Sequence, residues 1–380
     1  MPTRKPSLKN LVMLTFLSFT ALVFFQNCNP VKSQVANSPT VSQGNRRLGI
    51  HITQAQGEAF TTTCSLVQAD HFNHTNLHQI WGSGTFAASS LPVVPLVTDT
   101  GGTLFDFAIL DIANAFYPAA SMPVMLTIGT IDTNNKFVPS AFNSVAFDDS
   151  GLRAAFKTML TNMMPHLANT QLVSLQIGNE VDSYLGTNAA AWAQYKIFFD
   201  DVAAHARTLR PGLLVGTTVT LNAAIDPALQ PYIQGLMATA DIVSVTYYPI
   251  KADYSVKNAA TVANEIATLV AAYGTKPIYF QEVGFPSAGS EELQRQFVAD
   301  FFATWDIFAA HIPVVSWLNY TEWPQATVDA YGTQYGVCPG TLCLSFKDFL
   351  QTLGLRNSLG TAKPALTEIR SQMTSRGWIF

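Results

Sequence analysis

From residue 48 onward, short apolar runs alternate with longer stretches of helical character. Near-continuous apolar runs are typical of buried parallel strands, and strands that alternate with helices predict right-handed crossovers and a parallel sheet. Helices are expected at 152–167, 190–209, 260–273 and 291–308. Strands are expected at 48–53, 75–81, 123–128, 171–177, 213–219, 242–247, 276–281 and 313–318. Eight such units favour an α/β fold of the closed (β/α)8 TIM-barrel type, a single domain over 47–380, above an open doubly wound sheet.

The second unit, 75–120, is the least regular, because 92–97 competes as a strand. No G-x-G-x-x-G or phosphate-binding loop follows the first strand, which argues against a nucleotide-binding sheet.

Residues 1–28 have the features of an export signal. A basic start with Arg4, Lys5 and Lys9 is followed by an apolar run over 11–25, too short for a membrane-spanning helix. The cysteine that follows, Cys28, resembles the lipidated cysteine of bacterial lipoproteins, although Gln26 and Asn27 replace the usual small residues. We expect lipidation of Cys28 and a membrane-anchored protein, periplasmic or at the cell surface, with plain secretion as the alternative. Residues 29–46, rich in Ser, Asn, Gln and Pro, are predicted to be a disordered tether.

The charge balance limits the choice of partner. The chain has a net charge of −4 and only 12% charged residues. Nucleic acids and anionic lipid surfaces require basic patches, so neither is expected, and contact with a membrane is expected only through the lipid anchor. A neutral polysaccharide or oligosaccharide is compatible with this surface, and a monomer is expected.

The cysteines do not suggest a thiol nucleophile. Cys338 and Cys343 are close together in a Gly/Pro-rich stretch, and in an exported protein they are expected to form a local disulfide. Cys64 is expected to be a buried free thiol.

Two predicted strands end in a glutamate. The run from Leu172 leads into Gly178, Asn179 and Glu180, and the run from Pro277 leads into Glu282. Catalytic groups of α/β barrels lie at the C-terminal ends of the strands, and the fourth and seventh strands face each other across the mouth. Two such carboxyl groups are what glycosidic bond hydrolysis requires, and it needs neither a metal nor an organic cofactor.

Four segments resemble motifs of clan A glycoside hydrolases, which are retaining (β/α)8 enzymes. Gln176-Ile-Gly-Asn-Glu-Val181 is similar to the fourth-strand motif, and Phe280-Gln-Glu-Val-Gly-Phe-Pro-Ser-Ala-Gly289 to the seventh-strand motif. The latter is similar to the nucleophile segment of family 17 β-1,3-glucanases, with Phe285 in place of their tryptophan. Asp241-Ile-Val-Ser-Val-Thr-Tyr-Tyr-Pro249 resembles the sixth strand, also of family 53 β-1,4-galactanases, and Gly360-Thr-Ala-Lys-Pro-Ala-Leu366 resembles the closing segment.

The resemblance implies a role for several residues. It makes Glu180 the general acid/base and Glu282 the nucleophile, and it assigns Asn179 to the 2-hydroxyl of the sugar. Tyr247 and Tyr248 are both candidate substrate-binding residues, although alternation along a strand sends only one inward. By resemblance Tyr248 faces inward and orients the nucleophile, and Tyr247 would then contact a helix.

Three further candidates for substrate binding follow predicted strands. Trp317 is expected to form the floor of the central subsite, Trp323 to line an outer subsite, and Asp132 to bind a hydroxyl. Three histidines, His71, His74 and His78, have a spacing that on a helix could suit a metal. The residues between them are poor helix formers. These histidines are therefore interpreted as polar loop residues, and no metal site is expected.

The sequence thus predicts a retaining hydrolase of β-linked polysaccharide, of the β-glucan or β-galactan type. A transglycosylase with the same carboxyl groups and a barrel that only binds glycan are the alternatives. The sugar, the linkage, and endo or exo action remain open, because loops at the barrel mouth determine them.

Overall fold

The computed structural model describes residues 43–82, 96–98 and 104–378. Its strands are β1 Arg47–Ile50, β2 His74–Ile80, β3 Val97–Thr98, β4 Leu104–Phe105, β5 Val124–Asp132, β6 Asn135–Lys136, β7 Leu172–Asn179, β8 Val215–Gly216, β9 Thr218–Thr220, β10 Val243–Tyr247, β11 Ile278–Val283 and β12 Val314–Trp317. Its helices are α1 Phe60–Ala69, α2 Ala108–Ala119, α3 Ser150–Met163, α4 Val181–Leu185, α5 Ala189–Leu209, α6 Leu221–Ile225, α7 Gln230–Met237, α8 Val262–Tyr273, α9 Glu291–Ile307, α10 Gln325–Gln334, α11 Cys343–Gln351 and α12 Pro364–Ser375. Short 3₁₀ turns lie at Ser140–Phe142, Met164–Leu167 and Ala259–Thr261.

The main sheet is a parallel barrel. Its strand order is β8-β7-β5-β2-β1-β12-β11-β10-β9, and β6 pairs with β5 as an antiparallel hairpin. The two ends of this order, β8 and β9, are consecutive pieces of the fifth barrel strand with Thr217 between them, so this strand closes the barrel. The predicted (β/α)8 fold is confirmed.

Several predicted boundaries differ from the structure. The fifth strand, predicted as one run over 213–219, is two short pieces, and the fourth extends two residues further, to Asn179. The competing run 92–97 lies outside the described residues except for Leu96 and Val97, and Val97 pairs with Phe105 in a small ribbon outside the barrel. The export signal, the proposed lipidation site Cys28 and most of the tether also lie outside the described residues. Among the residues that are described, no helix is long and apolar enough to cross a membrane.

The barrel interior changes from apolar to polar toward the mouth. Met125, Ile242, Tyr279 and Val314 form a buried apolar layer near the start of their strands. Further along, the inward-facing side chains are polar, and the outward-facing residues between them pack against the helices. Because side chains alternate along a strand, this pattern fixes which residues can reach the mouth.

The chain enters and leaves the barrel at the bottom. Arg46 precedes β1, is 3% exposed, and its guanidinium lies over the Trp378 ring at 4.3 Å and bonds Asp306 at 2.7 Å. Arg376, after α12, bonds the same Asp306 at 2.6 Å. These contacts hold the first and last described segments together.

A helical cap follows the last barrel strand. We define the cap as residues 324–351, which contain α10, α11 and the disulfide between Cys338 and Cys343. The cap and the residues that flank it share an apolar cluster separate from the barrel core, which includes Leu318, Trp323, Val328, Tyr331, Phe346, Phe349, Leu350 and Leu353. The sequence predicted the disulfide but not the two helices. Cys64, the other described cysteine, is buried and forms no disulfide bond with a described residue.

Candidate active site

The backbone at the end of β7 turns Glu180 toward the mouth. Gly178 has φ 85° and Glu180 has φ 46°, and both values lie in the left-handed region. A Cβ on Gly178 would stand 2.3 Å from the Tyr195 hydroxyl and 2.6 Å from Val181 Cγ1, so only glycine fits there. The left-handed turn ends the strand alternation and starts α4, which leaves the Glu180 carboxyl above the barrel interior.

A β-bulge places Glu282. In the pairing of β10 with β11, Val245 faces Phe280 while the next residue, Thr246, faces Glu282. Gln281 is therefore an extra residue in its strand, and a bulge of this kind re-aims the side chains beside it. Both Gln281 and Glu282 line the mouth, whereas strict alternation would send one of them outward.

The two glutamates share one pocket of about 320 Å³ at the C-terminal ends of the strands. Its polar lining includes His51, Asn76, His78, Asp132, Asn179, Glu180, Thr246, Tyr248, Gln281 and Glu282. Its apolar and aromatic lining includes Leu318 and Trp323 and the cap residues Tyr331, Tyr335, Val337, Phe346, Phe349 and Leu350.

Glu180 is held by two hydroxyl groups. Thr246 Oγ1 donates to Glu180 Oε1 at 2.6 Å, and Thr133 Oγ1 donates to Oε2 at 3.1 Å. Burial raises the pKa of Glu180 to about 8, with the charge of Glu282 as the second cause, and the Thr246 hydroxyl opposes the rise. Glu180 is therefore a protonated acid at neutral pH.

Glu282 is in a different electrostatic environment. Tyr248 Oη donates to Glu282 Oε2 at 2.6 Å. Burial raises the pKa of Glu282, while the Tyr248 hydroxyl and the nearby His78 oppose the rise. The Tyr248 hydroxyl stays protonated, because burial and the adjacent carboxyl groups raise its pKa well above the usual value. It can therefore act as a permanent donor to the carboxylate.

Asn179 is the centre of a buried polar network. Its Nδ2 donates to Asp132 Oδ1 at 3.0 Å, and its Oδ1 accepts from Gln281 Nε2 at 3.1 Å. Gln281 in turn accepts from the Thr218 hydroxyl, and Asp132 Oδ2 accepts from Tyr335 Oη at 3.1 Å. An amide carries two donors, and the second amide hydrogen of Asn179 has no partner among the residues that the structure describes, so it can meet a ligand.

Trp317 does not face the pocket, so the expectation that it forms the floor of the central subsite is wrong. It is 1% exposed and its ring contacts Phe297 and Phe301 of α9, at centroid distances of 5.9 and 5.4 Å. The preceding residue, Ser316, points inward and donates to Asn76 Oδ1 at 2.9 Å, so alternation sends Trp317 outward.

Tyr247 is also directed away from the pocket. Its hydroxyl donates to Glu265 Oε2 at 2.7 Å, and its ring contacts Phe297, so the side chain lies in the helix layer. The expectation that Tyr248 faces inward and Tyr247 contacts a helix is confirmed, and the Tyr247 side chain is therefore wrong as a candidate for substrate binding.

Trp323 lies at the pocket, as its sequence position suggested. Its ring is tilted against Tyr331 at 5.1 Å and meets His51 edge-on at 6.3 Å. Burial lowers the pKa of His51 to about 4, with His78 as a further cause, so His51 is neutral at physiological pH.

The histidines predicted to lie in loops are correctly placed only in part. His74 and His78 belong to β2, and only His78 reaches the pocket. A run of polar residues is typical of a loop, which is why the sequence suggested one for His74 and His78. The upper interior of this barrel is polar, so such a run also suits a strand. Among the described residues, no cluster of three or more His, Cys, Asp or Glu side chains could hold a metal ion.

The fold is similar to that of several solved glycoside hydrolases. A GH5_18 protein from Streptomyces cattleya, in complex with Manβ1-4GlcNAc, aligns over 88% of this chain and 81% of its own, with TM-score 0.64 and 16% identity. An exo-β-1,4-mannosidase from Opitutaceae bacterium strain TAV5 aligns over 88% of this chain and 60% of its own, with TM-score 0.62 and 14% identity. A fungal β-1,4-galactanase aligns over 80% of this chain and 90% of its own, with TM-score 0.55 and 12% identity.

These similarities show the (β/α)8 fold, and the solved structures that share it are clan A glycoside hydrolases. No family model and no curated protein matches the sequence. At this level of identity the similarity to clan A predicted from the motifs is confirmed for the architecture, and the chemistry has to be argued from the residues of the site.

Proposed function

We propose that this protein is a retaining glycoside hydrolase that cleaves β-linked glycans. The observation that carries the proposal is a pair of carboxyl groups in one pocket, with Glu180 kept protonated and Glu282 bonded by the Tyr248 hydroxyl. Enzymes of this class need one acid and one nucleophilic carboxylate on opposite sides of the bond that breaks. The names of the structural neighbours, a β-1,4-mannosidase and a β-1,4-galactanase, support a β-linked substrate.

In the first step Glu282 attacks the anomeric carbon and the bond to the leaving oxygen breaks. Glu180 gives its proton to that oxygen, so the departing sugar leaves as a neutral alcohol. Forming the glycosyl ester removes the charge of Glu282, which is the second cause of the raised pKa of Glu180. Glu180 can then act as a base, taking a proton from the water that attacks the anomeric carbon and releases Glu282.

Asn179 is suited to hold the sugar during both steps. Its amide is fixed by Asp132 and Gln281, so it needs no reorganisation when the substrate binds. Its free amide hydrogen can bond the 2-hydroxyl, an interaction that strengthens in the transition state of this reaction.

The test uses the full chain and a panel of aryl β-glycosides and β-glycans, including mannan, galactan, xylan and β-1,3-glucan. Glu282→Gln is expected to lower kcat by about 10³-fold or more, because it removes the covalent route. Glu180→Gln is expected to spare the first step on substrates with a dinitrophenyl leaving group, which needs no proton. A burst of phenol followed by slow turnover is the expected signature. NMR of the first product is expected to show retained configuration.

Glu291→Gln is the matched control, since Glu291 is exposed at the start of α9. Full activity of Glu282→Gln, or an inverted product, would overturn the assignment. A wild-type protein that binds one glycan but cuts none would support the binding-barrel alternative, and sugar-to-sugar transfer products would support a transglycosylase.

We also propose that the protein is exported and anchored through a lipid on Cys28. The support is the basic start, the short apolar run and the cysteine that follows it. Labelling of the expressed protein with a palmitate analogue tests the proposal, and Cys28→Ala is expected to abolish the label and to move the protein to the soluble fraction.

A further inference from the structure

The cap is fastened on two opposite sides of the barrel mouth. On one side, Asn134 and Asn135 of the hairpin after β5 donate to the backbone oxygens of Tyr335 and Gln334, at 2.9 and 3.2 Å. On the other side, the ring of Tyr254, in the segment after β10, stacks on the cap ring of Phe349 at 5.8 Å. These anchor points follow the third and sixth barrel strands, which are three strands apart, so the cap spans part of the mouth.

The cap also reaches the partners of both carboxyl groups. Tyr335 of the cap donates to Asp132, which accepts from Asn179, the residue before Glu180. Phe349 of the cap contacts the ring of Tyr248 at 5.5 Å, and Tyr248 donates to Glu282. The cap therefore stands directly beside the place where the reacting sugar would lie.

The cap presents an apolar face to this place. Val337, Phe346, Phe349 and Leu350 line the pocket from the cap side, together with Tyr331 and with Tyr335, whose hydroxyl is already bonded to Asp132. A sugar ring carries hydroxyl groups around most of its edge, and burying a hydroxyl without a hydrogen-bond partner is unfavourable. An additional sugar unit pressed against this face would lose the hydrogen bonds that its hydroxyls make with water. The rings of this face can stack on one side of a sugar, but Val337, Phe346, Phe349 and Leu350 offer no side-chain hydrogen bond to the hydroxyls of a continuing glycan chain.

We propose that the cap closes one end of the substrate cleft, so that the protein removes units from chain ends or splits short glycosides and does not cut internal bonds. The inference rests on the proposed glycosidase function and names the form of substrate that this site takes. The pocket volume of about 320 Å³ agrees with it, being at the low end of small-molecule sites. Cap residues are thereby specificity-determining residues, distinct from the catalytic pair.

The test compares aryl β-glycosides, β-linked oligosaccharides of two to six units, and the parent polymer. For terminal action, one small product is expected from the earliest time, while the viscosity of the polymer falls little for each bond cut. A ladder of intermediate lengths with a steep early fall in viscosity would overturn the inference. If aryl glycosides are cut and the polymer gives such a ladder, the glycosidase function holds and the role of the cap fails. If no glycoside of any length is cut, the function itself fails.

A variant pair assigns the pattern to the cap. Asn134→Ala combined with Asn135→Ala removes the two hydrogen bonds to the cap, and the share of internal cuts is expected to rise at least about threefold. The control is Gln325→Ala, which removes a bond to Asp329 within α10 and leaves the hairpin contacts intact. Hydrogen exchange of the cap amides reports whether the cap has loosened. An unchanged share of internal cuts in a loosened cap would contradict the proposal.

Discussion

The hydroxyl of Thr246 is expected to set the alkaline limit of activity. It donates to Glu180 Oε1 at 2.6 Å and opposes the rise in the pKa of this carboxyl, so it stabilises the charged form. Thr246→Val keeps the shape of the side chain and removes the donor. With less stabilisation of the carboxylate, the pKa of Glu180 rises above about 8.

The size of this effect follows from the hydrogen bond. A bond to a charged group contributes about 1.5–3 kcal/mol, and a tenfold change in an acid dissociation constant corresponds to about 1.36 kcal/mol. The net effect on the pKa of Glu180 is smaller than this bond energy alone would give. In the wild type the Thr246 hydroxyl oxygen can also accept a hydrogen bond from the protonated carboxyl, so the neutral form is stabilised as well. We therefore expect the alkaline limb of kcat/KM, which reports the free enzyme, to move upward by about 1 pH unit.

The assay is kcat/KM between pH 4 and 10 on a substrate whose leaving group needs protonation. The acidic limb reports the ionisation of Glu282 and is expected to move less, which provides an internal control. An alkaline limb that stays in place or moves downward would refute the role of Glu180 as the acid, or the bond from Thr246.

Three further outcomes are expected. Gly178→Ala is expected to destabilise the fold by about 2–4 kcal/mol in urea unfolding and to abolish activity, since strain at positive φ and overpacking add. Gly212→Ala, at φ 84° with open space around it, is expected to show the strain alone and keep activity. Trp317→Phe is expected to lower the free energy of unfolding by about 1–3 kcal/mol and to leave KM unchanged. Trp323→Ala is expected to raise KM about tenfold. The reverse pattern would restore the expectation that Trp317 forms the floor of the central subsite. Glu180→Gln is expected to raise the melting temperature more at pH 9 than at pH 5, and an equal gain at both would count against the raised pKa.

The sign of the last expectation follows from proton binding. The folded pKa of Glu180, about 8, is above the usual value of 4.5, so between these values the native state holds more protons than the unfolded chain. The stability contributed by the neutral carboxyl is therefore present at low pH and is lost as the pH rises toward 8. A glutamine in its place carries no charge to bury.

The sequence was sufficient for the barrel and for the strand ends that carry Glu180 and Glu282, because apolar runs and the residues that end them are local features. It was not sufficient for Trp317. Whether a strand residue points inward depends on a shift of one position, and here the inward position belongs to Ser316. The neighbouring apolar residues suit either face of the strand, so their composition did not reveal which alternate residues point into the barrel.

The cap could not be predicted from local pattern either. Its helices are short, and the Gly/Pro-rich stretch around Cys338 is typical of a loop. What gives the cap its position is a set of contacts with residues far away in the chain, such as Tyr254 and Asn134. The same holds for Thr246, whose bond to Glu180 appears only when the strands are assembled.

The bottom entry and exit of the chain determine how this protein can be attached to a surface. Arg46 and Trp378 meet at the face opposite the pocket, so a linker joined before the first strand or after the last helix emerges on the far side from the mouth. A lipid on Cys28, as proposed above, would thus hold the molecule by its base and present the pocket outward to arriving glycan. Immobilising the protein on a bead through either end would likewise leave the mouth open.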